Sequence, residues 1–472
     1  MAKYRCKVCE YLVDDEKIDA LWMDLPDSWA CPVCGSAQKL FEKVAAEPAS
    51  GADPASDKAV TETSNGPDAS LLRSSDEIET YMADIHQMAE TGESILEPMR
   101  TRKPTFSWDD LLIKGAQLAR LPLNADEAVA TETIIGPQAV RPMIIQTPVY
   151  ITHMSFGALS PEAKTALAKG SAAVKTAMCS GEGGILSSSI ENAHKYIFEY
   201  VPNRYSVTAE NLKRVDAIEI KFGQSAKPGM GGHLPGEKVT PEIAEIRGFK
   251  PGESITSPAR FEDIRNREEL KEKIDWLREV SEGRPIGVKF AAGNIEADLE
   301  TALYAKPDFV TLDGRAGATG AAPKYVKAAT SVPTIFALHR ARKYLYEKDA
   351  KHVSLVITGG IRVSADIAKA LAMGADAVAI GTAALMAIGC QQYKICNTGK
   401  CPMGIATQDA TLRSNLNVNK SARRLENFLR VTTSELIDFA RLTGNNNIHS
   451  MSVSDLCTVN SEISKYTLVE HV

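Results

Sequence analysis

No run of 18 or more apolar residues occurs in the 472-residue chain, and Met1–Cys9 has no hydrophobic core of the kind a signal peptide carries. A membrane span and an export signal are not expected, so the chain reads as cytoplasmic. Positive charge is also short: 54 Lys and Arg against 60 Asp and Glu leave a formal net charge of −6. Nucleic acids and anionic membranes select basic surfaces, so neither is expected as a partner. No Gly-x-Gly-x-x-Gly follows a strand-like run, so a nicotinamide-binding segment is missing too. Residues 45–70 contain no aromatic residue, no Leu and no Ile. Dominated by Ala, Ser, Pro, Asp and Gly, that stretch cannot bury enough to order itself and is expected to be a disordered linker.

What is present divides into the segments on either side of that linker. Nine cysteines do not form a disulfide framework, because seven fall into two tight clusters of the kind that bind metals in a reducing compartment. Cys179 and Cys457 stand alone and are expected to be inert buried thiols. The first cluster, Cys6-x-x-Cys9 and Cys31-Pro-x-Cys34-Gly, lies in residues 1–44. Two paired thiolate turns offer a tetrahedral site, which iron or zinc can occupy. Tyr4, Tyr11, Leu25-Pro26, Asp27, Trp29, Cys31-Pro32 and Phe41 around it resemble rubredoxin, with Glu10 replacing a usual glycine and a short loop between the pairs. The resemblance implies a mononuclear iron and one-electron transfer, with zinc as the alternative.

Residues 71–139 are expected to be a helical lead-in, with helix over 76–99. Beyond them apolar runs alternate with helical stretches. The strand-like runs are ITHMSF (151–156), AIEIKF (217–222), IGVKFA (286–291), FVTLDG (309–314), TIFAL (334–338), LVITGG (355–360) and AVAIGT (377–382). Between them 161–175, 266–280, 294–305, 340–348 and 364–373 read as helices, with Ser160-Pro161 and Ser364 as start signals. Such alternation predicts an α/β fold, a (β/α)8 TIM barrel over 140–472, with its chemistry at the strand C-terminal ends. Gly359-Gly360 and Gly381-Thr382 end two successive late strands and precede helices. Bare backbone N–H groups there suit a phosphate, as in a flavin mononucleotide site. Lys289, a cation in an apolar strand, is placed in the barrel mouth, where it would stabilise a reduced, anionic flavin.

The second cluster, Cys390-x5-Cys396-x4-Cys401-Pro402, supplies three thiolates, which suits a three-iron cluster or a four-iron one with an external ligand. Its segment, GCQQYKICNTGKCPMGIATQ (389–408), resembles the 3Fe-4S segment of the glutamate synthases. The resemblance extends over roughly 140–440, through Met154–Ser160 with Ser155 and Gly157, Gly181–Gly184, Lys227–Gly236, Gly317, Thr319-Gly320 and Pro323, Thr358–Ile361, and Gly381–Ala383. It implies FMN and a 3Fe-4S cluster as cofactors, and reduction of 2-iminoglutarate, formed from 2-oxoglutarate and ammonia, by hydride from FMN. It further implies Gln224 and Lys227 as flavin- and substrate-side groups, Gly317 and Gly320 as part of the flavin loop, Arg204 toward the keto-acid carboxylates, and Glu182 for steering ammonia. Arg204 suits such a role because its planar fork pairs with a carboxylate through two hydrogen bonds.

The partners expected on this footing are an external electron donor (a reductase, a ferredoxin or similar), a separate amidotransferase subunit, and further copies of the chain in a homo-oligomer. A glutaminase of the bacterial type would start with a cysteine after Met removal, and Ala2 stands there instead. Arg315-Ala316-Gly317-Ala318, Cys179-Ser180 and His233 depart from the family pattern on the substrate side. They keep open a related enzyme, such as an N-methylglutamate synthase-type subunit. A non-catalytic electron-relay protein is the alternative from a different class, and the retention of Lys289 and Arg204 speaks against it.

Overall fold

The computed structural model describes Ser75–Val472 throughout. Upstream it describes Lys3–Cys6, Leu12–Asp14, Trp22, Leu25, Pro26, Trp29, Gln38, Phe41–Val44 and Arg73. The chain divides into two compact units, Met1–Ser74 and Ser75–Val472. In the first, Lys3–Cys6 is the middle strand of an antiparallel sheet between Leu12–Asp14 and Phe41–Val44. Tyr4 stacks on Trp22 at 4.3 Å, and Trp22 and Trp29 both meet Phe41, at 4.9 and 5.4 Å. Among the described residues of this unit, Val13 and Trp22 are buried. Cys9, Cys31, Cys34, the Cys6 side chain and the linker 45–70 lie outside the described residues.

In the second unit eight parallel strands close into a barrel: β1 Val149–Ile151, β2 Ala177–Cys179, β3 Lys195–Tyr200, β4 Ala217–Lys221, β5 Ile286–Ala291, β6 Phe309–Asp313, β7 Ser354–Thr358 and β8 Ala377–Ile380. They neighbour one another in chain order, and β8 closes on β1. The α/β (β/α)8 expectation holds. Helices Pro161–Ala173, Arg267–Val280, Ile295–Tyr304 and Ser364–Ala372 fall within two residues of their expected positions.

Several details differ. TIFAL opens the helix Thr334–Glu347, because its buried positions continue as Ala341, Tyr344 and Leu345 at helical spacing. The strand expected at ITHMSF is β1, which ends at Ile151; the rest of that run turns across the barrel mouth. Strands β2 and β3 escape the reading, one for its three-residue length and the other for the Lys195 and Glu199 that break its apolar pattern. Ser160 caps its helix by accepting from the Ala163 amide. Ser364 does not cap; Asp366 accepts from the Arg362 and Val363 amides instead. The lead-in holds one α-helix, Met82–Thr91, followed by turns and short strands.

A hairpin that begins in that lead-in and ends beyond it, Thr133–Ile135 with Met143–Ile145, packs Ile135, Met143 and Ile145 against the inward-facing Ile197, Ala217, Phe309 and Val356. It seals the N-terminal end of the barrel with apolar side chains, leaving the C-terminal end as the open face. Behind the barrel, helix Val418–Leu442 lies against helix Pro161–Ala173. A Cβ on Gly170 would come within 2.8 Å of the Ala422 carbonyl and of Leu425. Near the end of the chain, Leu456–Thr458 pairs antiparallel with Leu111–Ile113. No helix among the described residues is long and apolar enough to cross a membrane.

Candidate active site

The open face holds a cleft enclosing ≈ 1940 Å³ of non-atom space, the solvent at its mouth included. Nearly every strand contributes to it, as a barrel with chemistry at its C-terminal face requires. Ser155, Glu182, Gln224, Lys227, Lys289, Gly317, Gly320, Gly359, Gly360, Gly381 and Thr382 all line it, and so do Cys390, Cys396 and Cys401. Chain segments far apart in sequence thus bring cradle, cations and thiols to one place.

Two expected residues are not there. Arg204 sits in a tight turn, half exposed, with its guanidinium 2.7 Å from the Asp263 carboxylate. Its fork is engaged there, and Arg204 does not line the cleft in this structure. Gly157 lies behind the wall: at φ +107°, its missing side chain leaves room for Arg247 Nη2, which would lie 3.0 Å from a Cβ there.

Arg247 is the cation the sequence reading passed over. It lines the cleft, donates from Nη2 to the Phe156 carbonyl at 2.6 Å and lies 5.3 Å above the Tyr205 ring. Its buried Nε has no hydrogen-bond partner among the described residues. It comes from helix Pro241–Arg247, whose amphipathic pattern gives no hint that its last residue turns inward.

The floor of the cleft is ionic. Lys221 Nζ stands 2.7 Å from Glu182 Oε2 and 3.7 Å from Glu199 Oε1. Burial opposes the Glu182 charge, but Lys221 overrides it, with help from Ser257 and Lys227, and brings the carboxyl down to about 2. Reciprocally, Glu182 and Glu199 raise Lys221 against its burial. Burial lowers Lys227, whose ammonium donates to the Gly231 carbonyl at 3.0 Å. Gly232 packs against the Glu182 carboxylate: a Cβ there would fall 2.4 Å from Oε1 and displace it. Beneath lie the buried Glu199 and Glu219, His153 with its side chain 4% exposed, and Asp313, which accepts from the Ser225 amide and hydroxyl at 3.0 and 2.8 Å. The criterion that selected Lys289, a charge inside an apolar strand, also selects Glu219 and Lys221 in AIEIKF.

The residues fit the two groups implied by the sequence. At the end of β7, Gly359 and Gly360 have φ of +109° and +83°, and a Cβ on Gly359 would come within 2.1 Å of the Gly314 carbonyl. A side chain on Gly360 would meet nothing nearer than 3.4 Å and would project into space a phosphate could use. At the rim, burial first, then the neighbouring Cys390 and Cys401, push the Cys396 thiol up to about 11. A thiol raised by two neighbouring thiols belongs to a ligand set that a cationic metal cluster would relieve. Gln392 donates to Cys390 Sγ from its side chain at 3.2 Å, and Lys238 Nζ donates to the Cys396 carbonyl at 3.0 Å.

Fold and site together define an enzyme of the (β/α)8-barrel class, with a cofactor-sized cleft, a charged floor and a three-thiol rim. Residues 81–446 match the conserved region in glutamate synthase, and the chain belongs to the glutamate synthase family. It is 37% identical over 401 residues to the glutamate synthase large subunit-like protein of Rhizobium meliloti (strain 1021), covering 81% of this chain and 91% of that one. It is 37% identical over 399 residues to the archaeal-type glutamate synthase (NADPH) of Thermotoga maritima, covering 79% and 78%. A superposition on a lactate oxidase structure from Pediococcus acidilactici gives a TM-score of 0.49 at 15% identity, covering 75% and 84%.

Proposed function

We propose that the protein is a glutamate synthase-type oxidoreductase that makes L-glutamate from 2-oxoglutarate and ammonia through 2-iminoglutarate, with FMN and a 3Fe-4S cluster. The carrying observation is that the glycine cradle, the cations Lys221, Lys227, Lys289 and Arg247, and the three thiols share one cleft. FMN, its phosphate held by Gly359, Gly360, Gly381 and Thr382, would supply a two-electron donor that can be charged one electron at a time. Arg247 and Lys227 bind the two carboxylates of the keto acid, and charge-assisted pairing sets its orientation. Glu182, ionised beside Lys221, holds an ammonium ion or an iminium nitrogen. Cys390, Cys396 and Cys401 hold the cluster between an external donor and the cleft. The N-terminal unit, through Cys6, Cys9, Cys31 and Cys34, serves as the electron entry.

The test is anaerobically purified full-length protein with an artificial reductant and a panel of 2-keto acids and amines. Glutamate from 2-oxoglutarate and ammonium is the expected product. Bound flavin and iron with no product from any pair would overturn the reading. His233, which lines the cleft, favours a second reading, an N-methylglutamate synthase-type enzyme. In that case methylamine outcompetes ammonium in the same panel.

A further inference from the structure

A cation from a distant part of the chain rests on the loop that carries the second set of thiols. Lys238 belongs to the excursion between β4 and helix Arg267–Val280, at the end of a tight turn, Gly236–Lys238. Several contacts hold that turn. The Lys238 amide donates to the Pro235 carbonyl at 2.9 Å, and a Cβ on Gly236 would fall 2.2 Å from the Gly252 carbonyl oxygen. Two residues on, Thr240 caps helix Pro241–Arg247 by accepting from the Ile243 amide. The backbone from which Lys238 projects is therefore fixed, and with it the reach of the side chain.

That side chain ends on the thiol loop. Lys238 Nζ donates to the Cys396 carbonyl at 3.0 Å, and its stem lies over Gly399, where a Cβ would come 2.8 Å from Cε. Gly399 closes the Cys396–Thr398 turn at φ +71°, so its lack of a side chain both permits the turn and leaves a path for the lysine. The Cys396 sulfur also meets the Met99 thioether at 3.9 Å, an apolar neighbour. Burial and the thiols of Cys390 and Cys401 act against charge on that sulfur, and Lys238 is the cation that acts for it. Burial works against the ammonium too, with Cys396 and Glu237 supporting it. Among the described residues no carboxylate lies within ion-pairing reach of Lys238, so its charge is left for the thiol loop.

A cation so placed is felt by whatever charge the thiols hold. Three thiolates around a cluster leave the assembly anionic, and each electron taken up adds one more negative charge. A fixed ammonium nearby therefore favours the reduced form over the oxidised one. We propose that Lys238 sets the reduction potential of the cluster, its ammonium raising the potential at Cys390, Cys396 and Cys401. This rests on the reading of function above, in which those thiols hold a cluster. The same excursion supplies Lys227 and Arg247 to the cleft, so one stretch of chain serves both the electron and the keto acid.

The test is a dye-mediated redox titration of anaerobically purified full-length protein, with the oxidised cluster followed by electron paramagnetic resonance and iron counted in each sample. Lys238→Met removes both charge and hydrogen bond, Lys238→Gln keeps an N–H donor without the charge, and Lys238→Arg keeps the charge. At the wild-type midpoint the ratio of reduced to oxidised cluster should fall about threefold to tenfold in the Met and Gln variants, tenfold being about 59 mV for one electron. The Arg variant should stay within about twofold of wild type. An unmoved midpoint in Lys238→Met with its iron intact, or a Gln variant that titrates like wild type, would overturn the proposal. So would an equal fall in all three variants, which reports a disturbed loop and not a lost charge. Loss of cluster iron from both the Met and Gln variants would make Lys238 a residue that retains the cluster, and the proposal would fail. Wild-type protein without cluster iron would remove the reading of function and this inference with it, whereas iron with an unmoved midpoint removes only the inference.

Discussion

At the residue scale, the two arginines make the sharpest contrast. Arg204 was legible as a motif residue but is spent on Asp263 at the surface, whereas Arg247, unmarked in sequence, reaches the cleft behind a glycine. Arg247→Ala should weaken apparent transition-state binding of the keto acid by about 2–4 kcal/mol, read as a fall in kcat/KM carried largely by KM. Arg204→Ala should stay within about twofold, as expected for an exposed ion pair; a larger effect of Arg204→Ala than of Arg247→Ala would reverse the assignment. The Glu182 carboxyl, held down at about 2 by Lys221 against its burial, makes a pH prediction. Its contribution to stability is complete above the ordinary glutamate pKa of about 4.3 and drains away as pH falls through its folded value. Wild type should therefore lose stability between about pH 5 and 2 more steeply than Glu182→Gln in acid unfolding followed by circular dichroism. The charged residues of the floor could be found in sequence wherever the strand around them was apolar, as at Lys289. Glu199 was hidden because Lys195 made its strand look like surface.

At the element scale, strands and helices announced themselves wherever periodicity ran long enough. What failed was local: a helix that begins with a strand-like run at Thr334, and a three-residue strand at Ala177–Cys179 whose register only barrel closure defines. Spacing among Cys390, Cys396 and Cys401 was visible, but not that their loop rests on Lys238 from a distant segment. Cys396→Ser should abolish cluster iron in metal analysis while flavin absorbance persists; loss of both together would mean that the rim and the cradle are one cooperative site. The contact between helices Pro161–Ala173 and Val418–Leu442 depends on a missing methyl group. Gly170→Ala should cost about 1–3 kcal/mol in urea denaturation, through overpacking against Ala422 and Leu425. Gly115→Ala, whose Cβ would meet nothing nearer than 3.9 Å, is the control.

At the scale of the whole molecule, the two units imply separable folding. A protein comprising residues 75–472 should keep the barrel's thermal transition and still turn over with an artificial reductant, losing only its exchange with the natural donor. Equal rates with that donor, with and without residues 1–74, would remove electron entry from the small unit. The pairing of Leu111–Ile113 with Leu456–Thr458 joins the two ends of the large unit like a clasp. Thr458 reaches back further, its hydroxyl donating to the Asp110 carbonyl at 2.6 Å. On the ribosome this clasp cannot shut until Leu456–Thr458 has left the exit tunnel, long after Leu111–Ile113 has done so. Until then a nascent barrel carries an unpaired strand at its start, exposed to other chains. The most chaperone-dependent stretch of this barrel's synthesis should therefore be the interval between the emergence of those two strands.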